Sequence, residues 1–286
     1  MVRSIIIEAP AKVNLTLDVK GKRADGYHEL ETLMHQINLV DRVYIEEAKS
    51  LIVQSNSTLI PEDEGNLAYR AAWAIMDKYG NQEGVRIFIE KNIPVGAGLA
   101  GGSTDAAAVL IGINRLFDLG VNPVDLMNLG AVLGSDVPFC MQGRTAMATG
   151  RGEILTPLPA GPSLNMVLVK PAFQLSTAQV YADLNCEQLT RRPDNRAFVQ
   201  AWLHGDYQGI AVNMINVLES VSVVRHPEIG EIKEGLKKMG ALQSIMSGSG
   251  PSVIGVFEDG QKAQEAVQKM KERYQEVYLV SSYMGE

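Results

Sequence analysis

The 286-residue sequence has no block of basic residues and a net charge of −7, so it offers no electrostatic footprint for nucleic acid. Cysteine is scarce: Cys140 and Cys186 fall outside any metal-binding or redox spacing, which leaves them as small buried thiols. Long hydrophobic runs are also missing. The charge-free stretch from Ile154 to Val169 is broken by Pro157, Pro159, Gly161 and Pro162, so it is no membrane span. The apolar part of the first eight residues is too short for a signal peptide, and the expected location is the cytoplasm. Internal repeats and low-complexity segments are absent too. A hydrophobic fraction of 46% suits a globular protein with a proper core, and the length favours two domains.

Alternation of apolar and polar residues predicts strands over Val13–Val19, Arg42–Glu46 and Val85–Glu90. Helical spacing runs from Asn66 to Tyr79, from the end of a glycine loop to about Phe117, and from Pro123 to Leu133. The turn-rich segment at residues 157–162 is the natural boundary, giving domains 1–160 and 161–286. Beyond it the pattern predicts a strand over Met166–Lys170, then several helices. A helix over Ile229–Met239, strands over Leu242–Met246 and Ser252–Phe257, a helix over Lys262–Tyr274 and a strand over Val277–Val280 follow. This last order is that of a split βαβ arrangement, and the fold class expected for the whole chain is α+β.

The most informative stretch is Pro94-Val95-Gly96-Ala97-Gly98-Leu99-Ala100-Gly101-Gly102-Ser103-Thr104, a strand-to-helix turn. Its glycines let backbone amides approach a ligand with no Cβ in the way. Ser103 and Thr104 are expected as N-caps of the helix behind them, whose free N–H groups carry partial positive charge. Such a loop holds phosphate. An acidic protein binds a polyanion when backbone dipoles, a few placed lysines and a metal neutralise it. Gly96 to Gly101 also match the dinucleotide pattern G-x-G-x-x-G, but the preceding strand alternates with charged residues, unlike a central parallel strand. No lysine precedes Ser103, so this is not a P-loop.

Three further places carry chemistry-bearing residues. Lys12 and Asn14 lie two apart at the start of an alternating strand, which aims both side chains at one side. A turn sequence delivers Tyr27 and His28, an aromatic platform beside a donor–acceptor group, suited to a nucleobase. Asp136 stands between a helix end at Gly134 and an X-Pro step, a setting that fixes backbone direction. It is either a turn aspartate or a general base for a nearby hydroxyl.

Pro10-Ala11-Lys12, the glycine loop and Met246-Ser247-Gly248-Ser249-Gly250-Pro251-Ser252 together resemble the three motifs of the GHMP kinase superfamily. Within it, Lys12-x-Asn14, Gly26-Tyr27-His28-Glu29, Leu133 to Pro138 and Thr149-Gly150-Arg151-Gly152-Glu153 are similar to a branch acting in the non-mevalonate isoprenoid pathway. The resemblance extends in motif order from Pro10 to Phe257. It implies a two-domain fold, with an N-terminal ATP-binding domain and a C-terminal ferredoxin-like domain. The implied activity moves the γ-phosphoryl of ATP to the tertiary hydroxyl of a small molecule, a cytidine diphosphate-linked methylerythritol.

Carried over by position, Lys12 and Asp136 are then the catalytic pair, Asp136 accepting or orienting the hydroxyl proton and Lys12 facing developing charge. Pro94 to Thr104 wrap the ATP phosphates, and Ser103 stands near Mg²⁺, for which no acidic pair forms a cage. Tyr27 and His28 take the cytosine, Arg151 lines the same pocket, and Asn14 orients the erythritol. Ser247 and Gly248 begin a second glycine turn near the substrate phosphates, with Ser176 and Thr177 in the same region. Asn66 and Lys91 are candidates for the adenine pocket. Two departures stand out: Asn216-Val217-Leu218-Glu219 where relatives often have Asn-Asp-Leu-Glu, and Gly-Ser-Thr-Asp in the loop where Gly-Ser-Ser-Asp is common.

Three alternatives remain from the residues themselves. A sister kinase acting on mevalonate, homoserine or a sugar would have no base for Tyr27 and His28 to meet. An NAD(P)-dependent oxidoreductase would need a ribose-binding acid that neither Asp118 nor Asp125, both beside helices, supplies. A non-catalytic ATP sensor would have no use for both Lys12 and Asp136.

Overall fold

The computed structural model describes residues 2–80 and 84–285. Two long strands organise it: β1 (Ser4–Lys22) and β2 (His28–Ala48), each running from one compact unit into the other. The sequence pattern showed only pieces of them, because the buried face is continuous through the middle of β1 rather than alternating.

The first unit holds the chain through Lys12, with Leu39–Val95 and Ala100–Gly143. Here β3 (Ile52–Ser55) pairs parallel with β4 (Gly84–Glu90), and β4 pairs antiparallel with the second half of β2, Arg42 opposite Glu90. In β4 the alternation works as expected, with Val85, Ile87 and Ile89 inward and Arg86 and Phe88 outward. Helices α1 (Leu67–Lys78), α2 (Gly101–Leu116), α3 (Pro123–Leu133) and α4 (Val137–Gln142) complete the unit. The alanines of α1 and α2 share one core with the strands. A Cβ at Gly112 would lie 2.3 Å from Ile45 Cδ1, so this glycine lets α2 lie close on the sheet. Asn66 caps α1 through the Ala68 N–H, and Asn122 caps α3 through the Asp125 N–H.

The second unit holds Val13–Asn38, Gly96–Leu99 and the chain from Arg144 on. The first half of β2 pairs with β5 (Thr145–Gly150), and β5 with β6 (Ile154–Pro157), all antiparallel. After them come β7 (Asn165–Lys170), α5 (Thr177–Ala182), α6 (Asn195–His204), α7 (Tyr207–Asn213) and α8 (Glu219–Arg225). The chain continues as α9 (Pro227–Lys238), β8 (Gln243–Met246), β9 (Val253–Phe257), α10 (Gly260–Lys271) and β10 (Glu276–Ser281). The strands form an antiparallel sheet in the order β10-β7-β9-β8, with α9 and α10 packed on it. This is the ferredoxin-like, split βαβ topology anticipated from the element order.

His35 is buried in this unit. Its Nδ1 lies 2.7 Å from Thr145 Oγ1 and its Nε2 2.9 Å from Ser282 Oγ, which also accepts the Leu164 N–H at 3.0 Å. Burial lowers its pKa to about 4, so it is a neutral structural histidine. Of the cysteines, Cys140 is buried as expected, whereas Cys186 is half-buried. No helix among the described residues is long and apolar enough to cross a membrane.

Candidate active site

In the first unit, Lys12 and Asp136 face each other across a 3.5 Å gap between Nζ and Oδ2. Lys12 comes from β1 and is 5% exposed, so it is no solvated surface lysine. Asp136 occupies the N-cap position of α4, yet its side chain makes no capping bond there. Its carboxylate, one-third exposed, remains turned to the ammonium. The Thr104 hydroxyl donates to the Pro10 carbonyl at 2.9 Å and so ties the first turn of α2 to β1, two residues before Lys12.

The helix after the glycine loop begins earlier than expected. Ser103 and Thr104 are not its N-caps: α2 starts at Gly101, and Ala100 is the cap residue with φ +56° and no side-chain capping bond. The left-handed step at Ala100 turns the chain into the helix before the serine is reached, so both hydroxyls lie within the first turn. Ser103 Oγ would be 3.9 Å from a Cβ placed on Gly134, which brings it near the turn that carries Asp136.

The strand side of the loop and the helix start are joined by a buried ionic cluster. The Lys91 ammonium pairs with Asp41 and lies 2.8 Å from Asp105 Oδ2, with all three side chains no more than 4% exposed. Asp41 Oδ1 also accepts the N–H groups of Asn92 (2.6 Å) and Ile93 (2.8 Å). Burial pushes the Asp105 carboxyl up to about 7, against the pull of Lys91. Lys91 is thus engaged by two carboxylates, and Asn66 by the cap of α1.

In the second unit, Gly98 has φ +75°, and a Cβ there would lie 2.4 Å from the Ser247 carbonyl oxygen, so no other residue fits. The Ser247 hydroxyl donates to the Gly98 carbonyl at 2.9 Å and accepts the Asn14 N–H at 3.3 Å. Asn14 Nδ2 donates to Thr32 Oγ1 at 2.8 Å. Thr177 Oγ1 lies 2.8 Å from Ser249 Oγ, and Ser176 caps α5. The second glycine turn therefore touches Thr177, which the resemblance had set in the same region, and also Asn14 and Gly98, which it had not.

His28 begins β2 and Tyr27 immediately precedes it; Leu30 is opposite Gly150, and this register brings Arg151 beside them. The Arg151 guanidinium lies 4.9 Å from the Tyr27 ring centroid, and Tyr27 is 54% exposed. Glu153 Oε2 accepts the Arg151 N–H at 2.6 Å, fixing the turn. His28 lies 5.2 Å from the Tyr181 ring, and its pKa is lowered by burial and by Lys22. Tyr181 had no signal in the sequence: a lone tyrosine in a short helix resembles any other.

Two segments match known sequence families: residues 66–144 the GHMP kinases N terminal domain, and residues 199–276 the GHMP kinases C terminal domain. A 4-diphosphocytidyl-2-C-methyl-D-erythritol kinase of Syntrophomonas wolfei subsp. wolfei is 58% identical over 99% of this chain and 100% of its own. The chain belongs to the 4-diphosphocytidyl-2-C-methyl-D-erythritol kinases. A kinase of the same name from Alkaliphilus metalliredigens is 44% identical over 98% of this chain and 97% of its own. The crystal structure of a 4-(cytidine 5'-diphospho)-2C-methyl-D-erythritol kinase superposes with a TM-score of 0.85 at 36% identity, covering 98% of this chain and 100% of that one. As a GHMP kinase the protein is an ATP-dependent phosphotransferase with an alcohol acceptor. The two-domain α+β expectation agrees with both matches.

Proposed function

We propose that this kinase phosphorylates the tertiary 2-hydroxyl of 4-diphosphocytidyl-2-C-methyl-D-erythritol. The observation that carries this reading is the Lys12–Asp136 pair, a carboxylate held by a buried ammonium instead of by its own helix. Asp136 orients the substrate hydroxyl and takes its proton as the oxygen bonds to the γ-phosphorus and ADP leaves. Lys12 faces the charge that develops on the transferred group. Positioning and electrostatics suffice for this reaction, since phosphoryl transfer needs little covalent help.

Residues Pro94 to Thr104 surround the ATP phosphates with backbone amides and the start of α2. No cluster of three or more His, Cys, Asp or Glu among the described residues could cage a metal. A Mg²⁺ ion carried by the phosphates and water, with Ser103 Oγ as a hard oxygen donor, fits that donor set. When bound it neutralises charge on the phosphates.

Tyr27 and His28 receive the cytosine, with Arg151 and Tyr181 against them. Asn14 orients the erythritol, and Ser247 and Gly248 meet the substrate phosphates. The matched segments fall on either side of residue 160, as domains 1–160 and 161–286 require, whereas the compact units divide the chain at other points, Lys12, Asn38 and Gly143 among them. ATP and a nucleotide-linked small molecule are the partners of this reading, and such water-soluble substrates support work in the cytoplasm.

The test is ATP turnover with Mg²⁺ and the cytidyl substrate, mevalonate or homoserine, reading product by mass. Product from the cytidyl substrate alone is expected. Product from mevalonate or homoserine instead, or from no acceptor while ATP still binds, overturns the reading.

A further inference from the structure

Asn216 is buried at 2% exposure. Its Nδ2 donates to the carbonyl of Met246, the last residue of β8, at 2.8 Å and to that of Gly248 in the second glycine turn at 2.7 Å. Its Oδ1 accepts the Leu218 N–H at 2.9 Å, which fixes the orientation of the amide. Three residues on, Glu219 Oε1 accepts the Met246 N–H at 2.7 Å while its other oxygen pairs with Lys233. One short segment thus grips both backbone groups of the residue that leads into the turn and one carbonyl inside it.

The base from which Asn216 reaches is rigid. The Leu17 N–H donates to the Ile215 carbonyl at 2.9 Å, and the Val217 N–H to the Leu17 carbonyl at 3.0 Å. Val217 and Leu218 are buried in the core of the second unit. Val217 is a packing residue, so the polar work of the segment falls to Asn216 and Glu219.

The turn needs such a grip. Gly248 and Gly250 are left-handed, with φ +57° and +87°, and have no side chains to hold them. Ser247, at the head of the turn, bonds both to Gly98 of the phosphate loop and to the backbone of Asn14. A displaced turn therefore displaces both contacts.

We propose that Asn216, supported by Glu219, is a positioning residue for the diphosphate-bearing substrate, acting through the Ser247–Gly250 turn. This rests on the kinase reading above. It assigns the turn's geometry to a side chain that itself touches neither substrate nor reacting atoms.

Asn216→Asp keeps the shape but sets a carboxylate oxygen against two carbonyls. The expected result is a rise of tenfold or more in KM for the cytidyl substrate, with the melting temperature showing a folded enzyme. Should that variant not fold, Asn216→Ala removes the donors without adding repulsion and carries the same expectation. In a double-mutant cycle with Ser247→Ala, losses that do not add mark a shared route through the turn. An unchanged KM in a folded variant, or fully additive losses, overturns the positioning role while wild-type turnover leaves the kinase reading intact. Failure of the wild-type enzyme to phosphorylate the cytidyl substrate overturns the reading first, and the inference with it.

Discussion

Lys12 Nζ stands 3.5 Å from Asp136 Oδ2, an ammonium almost wholly buried against a carboxylate that is one-third exposed. The asymmetry suits a catalytic pair: the cation is fixed, and the anion keeps an open side. Asp136→Asn is expected to lower kcat about a thousandfold, within the range of general-base removal. ATP affinity, measured by calorimetry, is expected to change less than threefold. A matching loss of ATP affinity would mark the acid as structural.

Tyr27 exposes a ring backed by the Arg151 guanidinium, an arrangement suited to a base laid on it. Removing one base–aromatic contact costs about 1–3 kcal/mol. Tyr27→Ala is therefore expected to raise KM for the cytidyl substrate about tenfold or more, leaving KM for ATP unchanged. Two-substrate steady-state kinetics separate the two.

The Lys91 cluster holds one cation between two buried carboxylates, so its members respond unequally to replacement. Lys91→Met leaves Asp41 and Asp105 facing each other without a cation, a change that costs about 3–5 kcal/mol. Asp105→Asn leaves a one-to-one pair and removes a carboxyl that burial already pushes up to about 7, so it is expected to shift stability by about 1 kcal/mol or less. Urea unfolding at neutral pH checks both. Equal losses would contradict the asymmetry.

His35 ties stability to pH. Its folded pKa of about 4 lies below the ordinary 6.5, so the unfolded chain takes up the proton first as pH falls. The contribution is complete above pH 6.5, declines below it, and is gone by about pH 4, a loss of about 3 kcal/mol. His35→Gln is expected to flatten that slope in denaturant unfolding between pH 4 and 7. An unchanged slope would assign the acid sensitivity to other groups.

Much of this was legible in the sequence, for reasons that differ by element. β4, α1, α3, β8 to β10 and the split βαβ order follow from short-range periodicity and caps, which need no distant partner. The start of α2 was misread because serine and threonine are good caps, whereas the actual start depends on a left-handed alanine. Lys12 and Asp136 were singled out by motif, but local sequence carries no sign of their pairing. Asn216 is the clearest case of illegibility: a buried asparagine is mute until the turn it holds, some thirty residues on, is folded against it.

Strand β7 lies between β9 and β10, neither of which is adjacent to it in sequence. Its four consecutive buried apolar residues, Met166 to Val169, find their first strand partner roughly 80 residues later. At about 5–20 residues per second of synthesis, that strand emerges roughly 4–16 s before its neighbour exists. The newborn chain therefore passes through an interval in which an apolar strand with two open edges is exposed to other nascent proteins. Yield in the cell will depend on what shields it then, a demand set by strand order and independent of how stable the finished enzyme is.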